Sequence, residues 1–156
     1  MNPFYNFDRW TVLPFTKHKG KTLPQVAFKD PSFIYWADEE GVFNKEPLKS
    51  QFKEVYHKLC RIRIPKNRDY VSVRYCLGFN GKFAYFRLCK EEECYYKDRF
   101  TYDNIIDCSF PYQIDSSDKG GCRHFMQCIK NLFIGSDSRL TRKTCEKFFD
   151  GDYFYE

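Results

Sequence analysis

The sequence predicts an α+β domain, an antiparallel β-meander with helices packed against it, and three patterns carry that expectation. Leu48, Phe52, Val55 and Leu59 recur at i, i+4, i+7 and i+11, the spacing of one helical face. Val71, Val73, Tyr75 and Leu77 alternate with Ser72, Arg74 and Cys76, the period of a strand, and Asn80-Gly81 follows as a hairpin signal. Cys122, Phe125, Met126, Ile129 and Phe133 then return to helical spacing. No repeat or Pro/Gly/Ser-rich linker divides the 156 residues, so one domain spanning residues 1–156 is expected.

Trp10 to Phe15 reads as extended, and Lys17 to Lys21 as a turn around Gly20. Thr22, with Gln25 three residues on, has the capping-box pattern of a helix start. Asp30-Pro31 starts the next helix, with Asp as N-cap and Pro at the first helical position. Phe33, Ile34 and Ala37 give that helix its apolar stripe, and Gly41 ends it. The helix over Leu48–Cys60 turns Lys49, Lys53 and His57 to solvent. After Ile64 to Asp69 comes the hairpin, with Phe83 to Cys89 as the return strand and a third strand expected around Asn104–Phe110. Gly120-Gly121 precedes the second amphipathic helix and Gly135 closes it. Asp137 or Ser138 is expected to cap a last helix running to Phe149, and Gly151 to stop it. The helices should cover one sheet face, with the tyrosines toward the surface.

Composition narrows the function classes. Aromatics are 20% of the chain, far too rich for disorder. No apolar run approaches the roughly 20 residues needed to cross a bilayer. The first residues do not pair a basic segment with an apolar one, so we expect no secretory leader, no membrane partner and a cytoplasmic, reducing compartment with free thiols. The net charge of +5 is uneven: residues 1–75 hold 14 Lys/Arg against 8 Asp/Glu, and residues 76–156 hold 12 against 13. A localised basic surface favours polyanions through counterion release.

The basic character peaks in Lys17-His18-Lys19-Gly20-Lys21. Ammonium groups and backbone N–H groups of a tight turn can converge on one phosphate. Tyr35 then offers a face on which a base can stack, as Trp36 would if exposed, although a large aromatic on a helix is expected in the core. Arg61, Arg63, Lys66 and Arg68 would extend the patch if they fold beside the turn. Residues 14–43 as a whole resemble the small module at the C-terminus of exodeoxyribonuclease X and in stand-alone bacterial and phage proteins. Phe15, Lys17, His18, Lys19, Gly20, Lys21, Asp30, Pro31 and Trp36 match its pattern, and Thr16 stands where the family usually has Gly. The resemblance implies the accessory module, not the nuclease, whose catalytic carboxylates belong to a separate domain.

Other chemistries fit less well. Cys89 and Cys94 are spaced C-x4-C, and Cys122, His124 and Cys128 lie close in sequence. On one helix Cys122 and Cys128 would point about 120° apart, which suits one zinc ion poorly. The chain has no Asp or Glu two residues before a Lys, as carboxylate/lysine nucleases would need, and no Gly-rich phosphate loop. No catalytic residue, metal or cofactor is therefore expected. The leading expectation is a small non-enzymatic accessory protein, of phage or plasmid type, binding nucleic acid weakly and without sequence preference. The alternative is a mobile-element protein that binds and inhibits a host defence or DNA-processing enzyme through its aromatic surface. A metal-dependent hydrolase is the weakest of the three.

Overall fold

The computed structural model describes residues 9–15, 17–65, 69–93 and 101–156. It is an α+β fold in which, among the described residues, six α-helices accompany two small antiparallel sheets. Helices α1 (Leu23–Lys29), α2 (Pro31–Glu40) and α3 (Leu48–Leu59) come first. Strands β1 (Ile62–Arg63), β2 (Tyr70–Leu77), β3 (Phe83–Lys90), β4 (Thr101–Asp103) and β5 (Ile105–Ile106) come next. Helices α4 (Phe110–Ile114), α5 (Lys119–Phe133) and α6 (Arg142–Asp150) complete the chain.

Local sequence signals set several boundaries. The Gln25 side chain accepts from the Thr22 N–H at 2.9 Å, the reciprocal half of a capping box. Gly41 ends α2 in the left-handed conformation, where glycine carries no Cβ penalty. All four residues of the Leu48 stripe are buried, and His57 is exposed. Three boundaries differ from the sequence expectation. Helix α5 begins at Lys119 and contains both glycines, because Asp118 accepts from the Gly121 N–H at 2.9 Å and nucleates the turn early. Helix α6 begins later than Asp137 or Ser138 suggested, since Thr141 and Thr144 form the capping pair. The expected third strand over Asn104–Phe110 lies earlier and is split. Asn104, at φ 68°, breaks it into β4 and β5, and Phe110 already belongs to α4.

That split changes the sheet. β2 and β3 pair as the expected hairpin, from Tyr70↔Lys90 to Leu77↔Phe83. β4 then adds to the opposite edge of β2, giving the order β3-β2-β4, so only the hairpin half of the meander is realised. β5 pairs with β1, and Phe154 bridges to Ile62. The Tyr155 N–H donates to the Arg61 carbonyl at 2.9 Å, tying the C-terminal residues to β1.

The core is one continuous cluster, rich in aromatic edges. Phe125 of α5 meets Phe83, Phe86 and Tyr75 of the hairpin, with centroids 4.7–5.8 Å apart. Tyr75 stacks on Phe110 at 4.3 Å, so α4 and α5 cover one sheet face. At the other end α1 packs on α6, where Phe28 meets Phe148 and Phe149. Fully buried Trp10 closes that end, its indole N–H donating to Asp150 at 3.2 Å. The tyrosines do not all face outward as expected. Tyr35 and Tyr75 are buried, Tyr35 among helices beside Tyr56 and Tyr112, and Tyr75 between the hairpin and Phe110 and Phe125 of α4 and α5. No helix among the described residues is long and apolar enough to cross a membrane.

Phe149 is fully buried among Trp10, Phe28, Phe148 and Phe154. Phe149→Ala is expected to cost about 3–5 kcal/mol in a urea melt, the range for emptying an aromatic site in a packed core. A loss below about 1 kcal/mol would mean that this end of the core is not closed.

Candidate nucleic-acid interface

The basic turn is a closed loop laid against α2. Leu13 and Lys21 begin and end it: the Leu13 N–H donates to the Lys21 carbonyl at 2.9 Å, and the Gly20 N–H to the Leu13 carbonyl at 3.0 Å. Gly20 takes φ 89°, as the turn requires, and a Cβ there would meet nothing within 4 Å. The demand for glycine is thus conformational rather than steric.

Asp30 fastens this loop to the helix. Its side chain does not cap α2 by a backbone hydrogen bond, as the sequence suggested. Instead Oδ2 accepts from Lys17 Nζ and His18 Nε2, each at 2.9 Å, and Oδ1 accepts from the Ser32 hydroxyl at 3.2 Å. Burial raises the Asp30 carboxyl pKa, but hydrogen bonds from Lys17 and His18 and the Lys17 charge outweigh it and hold the group below its ordinary value. His18 is therefore not presented to solvent as the Lys-His-Lys-Gly-Lys pattern suggested. It is buried, with its ring edge-on to Phe33 at 4.9 Å. Lys17 and Lys19 remain exposed, and Lys21 is half-buried.

The two aromatic expectations on α2 are exchanged. Tyr35 is buried beside Tyr56 and Tyr112, so no base can stack on it. Burial, the largest cause, lifts its phenol pKa well above the ordinary value. Trp36 is the exposed ring, at 46% of its full surface. The helix geometry explains the exchange. Residues 31–35 are all buried because α1 and α5 pack around α2, leaving an open stripe through Trp36 and Glu40, one turn apart.

Trp36 lies in the wall of a groove of about 490 Å³, together with Phe15, Lys17, Phe33, Tyr112 and Lys119. Phe15, Phe43, Phe33 and Trp36 form a continuous aromatic run, with neighbouring centroids 5.8–6.3 Å apart. Tyr112 closes the far side and donates its hydroxyl to Glu39 at 2.8 Å. Burial first, and the bond to Glu39 second, push its phenol pKa to about 12. The groove thus offers exposed aromatic faces at Trp36 and Phe15, and its lining includes Lys119 and the Lys17–Asp30 ion pair. Sequence reasoning missed Lys119 and Tyr112, which reach the groove only through the packing of α4 and α5 on α2. It assigned Trp36 to the core, although Glu39 and Glu40, three and four residues on, mark a polar stripe on the same side of the helix.

Arg61 and Arg63 do not line the groove. Arg61 donates to the Glu156 carbonyl at 3.0 Å, and Arg63 pairs with Asp152 at 2.8 Å and lies over the Tyr155 ring. Both hold the C-terminal residues against β1. Lys66 and Arg68 lie outside the described residues, as does Cys94. Of the other zinc candidates, Cys89 and Cys122 are buried in the core, and Cys128 Sγ lies 3.9 Å from His124 Nε2. Among the described residues no three His, Cys, Asp or Glu side chains are grouped to hold a metal ion. No protein-family model, curated protein or solved structure matches the chain.

A carboxylate whose pKa falls on folding stabilises the fold above its unfolded pKa, and that contribution disappears as pH falls through the lowered value. Asp30→Asn is therefore expected to be less stable than the parent at pH 7 and to converge with it near pH 2, below the ordinary carboxylate value of 3.8. Denaturant melts at both pH values check this. A deficit of equal size at both would show that the Asp30 charge does not hold the turn.

Proposed function

We propose that the protein is a non-enzymatic nucleic-acid-binding module that takes an unpaired strand in the groove between the basic turn and α2. One observation carries the reading: Trp36 and Phe15 expose aromatic faces in a groove also lined by Lys119 and by Lys17, which Asp30 holds in place. That combination suits a single strand, whose bases stack on rings while its phosphates meet cations. Stacking on an aromatic contributes about 1–3 kcal/mol per base and tolerates any sequence. Lys19, at the exposed tip of the turn, extends the cationic rim. Duplex reading by a recognition helix is not part of the proposal, since the groove is aromatic and local rather than a projecting helix.

A second reading has its own support. The groove wall is chiefly aromatic and aliphatic, as in the pockets that receive anchor side chains at protein interfaces. A protein partner, including an enzyme of defence or DNA processing, would bind there with a weak salt dependence. A nucleic acid would instead lose affinity steeply as salt rises.

The two tryptophans provide the test. Trp10 is 1% exposed and bonded to Asp150, so it should not respond to ligand, whereas Trp36 opens into the groove. Titration with oligothymidine at low salt is expected to quench the intrinsic fluorescence, and Trp36→Phe to remove most of the response. Replacing Lys19 and Lys119 together with Ala, which leaves the Lys17–Asp30 pair in place, is expected to weaken binding and flatten the salt slope by about 0.7 per lost phosphate contact. Absence of quenching and of binding at low salt would reject the nucleic-acid reading and leave the protein-partner one.

A further inference from the structure

β3 is the terminal strand of its sheet, in the order β3-β2-β4, and among the described residues no strand pairs with its outer edge. An antiparallel strand turns alternate N–H and C=O groups to either side, so an edge strand leaves a row of them for a further strand. Natural edges are commonly blunted by proline, by inward charges or by a covering loop. Phe83–Lys90 contains no proline, and the register that sets Phe86 across from Tyr75 and Leu88 across from Val73 turns both apolar side chains toward the helices. At the end of the strand the Lys90 N–H donates to the Glu93 side chain at 3.2 Å, which takes that group from the row.

A helix stands beside this edge. Between β3 and α5 lies a groove of about 370 Å³, lined by Phe86, Arg87 and Leu88 of the strand and by Cys128, Asn131 and Leu132 of the helix. Among the described residues it shares no lining residue with the groove of Trp36. A strand laid along β3 would project every second side chain into this groove and the others onto the opposite face of the sheet. The groove side is chiefly apolar: the Phe86 ring packs on Phe125 at 4.7 Å, and Leu88 and Leu132 are likewise only partly buried. The opposite face is cationic. Register sets Arg87 directly across from Arg74, with Tyr85 across from Cys76. Like charges at directly opposed positions destabilise a strand pair, and a carboxylate beside them relieves the repulsion. Nothing nearby reverses that sign. Helix α5 contains no Asp or Glu, Arg87 is the one charge in the groove lining among the described residues, and Glu91–Glu93 follow the strand without lining the groove.

We propose that β3 and α5 form a cleft for an extended segment of a partner protein, which adds to the sheet as a further strand and alternates apolar with acidic side chains. Main-chain hydrogen bonds to the open edge hold the segment, and its alternate side chains supply the selectivity. The apolar side chain opposite Phe86 enters the groove beside Leu88 and Leu132. Its two neighbours fall on the other face, opposite Tyr85 and Arg87, where a carboxylate meets the guanidinium of Arg87 beside that of Arg74. A nucleic acid has no row of amides to pair with the edge, so a peptide is the better complement. The cleft is separate from the groove proposed for the unpaired strand and does not depend on it.

Two labelled peptides as long as β3, eight residues of alternating Val and Glu and eight of alternating Val and Lys, provide the test. In equilibrium titrations at neutral pH the Val/Glu peptide is expected to bind, and the Val/Lys peptide about tenfold more weakly, the effect of exchanging an opposite-charge neighbour for a like-charge one. Arg87→Glu is expected to abolish that preference and to melt like the parent, since the side chain is exposed. On the parent protein, the bound Val/Glu peptide is expected to slow amide hydrogen exchange at residues 84–88 and to leave the Trp36 fluorescence unchanged. Binding of neither peptide, equal affinity for both, or a preference that survives Arg87→Glu would overturn the cleft. So would binding that leaves exchange at residues 84–88 unaltered. Concentration-dependent dimerisation in sedimentation, with those amides protected in the absence of peptide, would assign the edge to a second copy and likewise overturn it. None of these outcomes bears on the groove of Trp36.

Discussion

The Asp30 carboxylate lies where a loop, a helix and a groove meet. Two cationic or imidazole groups of the basic turn and the Ser32 hydroxyl converge on its two oxygens. Through Lys17 and His18 it draws the turn down onto α2, and the buried His18 ring then rests on Phe33. Phe15, next to the turn, reaches Phe43, which in turn meets Phe33. The aromatic wall of the groove therefore depends on a carboxylate that is itself only partly exposed. Losing the charge would free the turn from α2 before it affected the core, because the hydrophobic cluster has its own closure at Trp10 and Phe149.

The basic excess of residues 1–75 is distributed differently from its formal sum. Arg9 pairs with Glu54 at 2.7 Å and with Asp150 at 3.2 Å, and its guanidinium lies over Trp10. Lys58 bonds to Glu54 and to the Phe149 carbonyl. Arg61 and Arg63 hold the C-terminal residues. These cations contribute to assembly of the fold, mostly as exposed or half-buried pairs of modest individual worth. Of the cations near the groove, Lys19 and Lys119 are exposed and Lys17 is held by Asp30. Lys119 belongs to the half of the chain with no net positive charge, so charge arithmetic along the sequence could not have included it.

The same contrast applies to the aromatic residues. Their abundance reads as core, and most of them are core: Tyr75, Phe110 and Phe125 join hairpin to helices, and Phe28, Phe148 and Phe149 join α1 to α6. Among the described residues Phe15, Trp36, Phe79, Tyr85, Tyr153 and Tyr155 are exposed, and of these Phe15 and Trp36 line the same groove. Isolated exposed apolar residues are ordinary, whereas rings gathered beside ammonium groups point to a ligand. The proposed function rests on the gathering of Phe15 and Trp36.

Periodicity, capping chemistry and glycine placement were legible without coordinates. The stripe Leu48, Phe52, Val55 and Leu59, the Thr22–Gln25 box and the left-handed Gly20 and Gly41 depend on neighbours within one or two turns, and such interactions are written in the local sequence. The position of β4 was not legible, because strand pairing is long-range and a single residue, Asn104, redirected the chain. Nor was the exchange of Tyr35 and Trp36. A helix packed by both α1 and α5 buries most of its circumference, and which ring stays outside depends on where its neighbours lie. The sequence by itself determined an α+β chain with a glycine-centred basic turn. Tertiary structure decided that Asp30 would bind the turn inward, that Trp36 would face the groove, and that Lys119 and Tyr112 would join it. Those contacts connect residues far apart in the chain, and only packing brings them together.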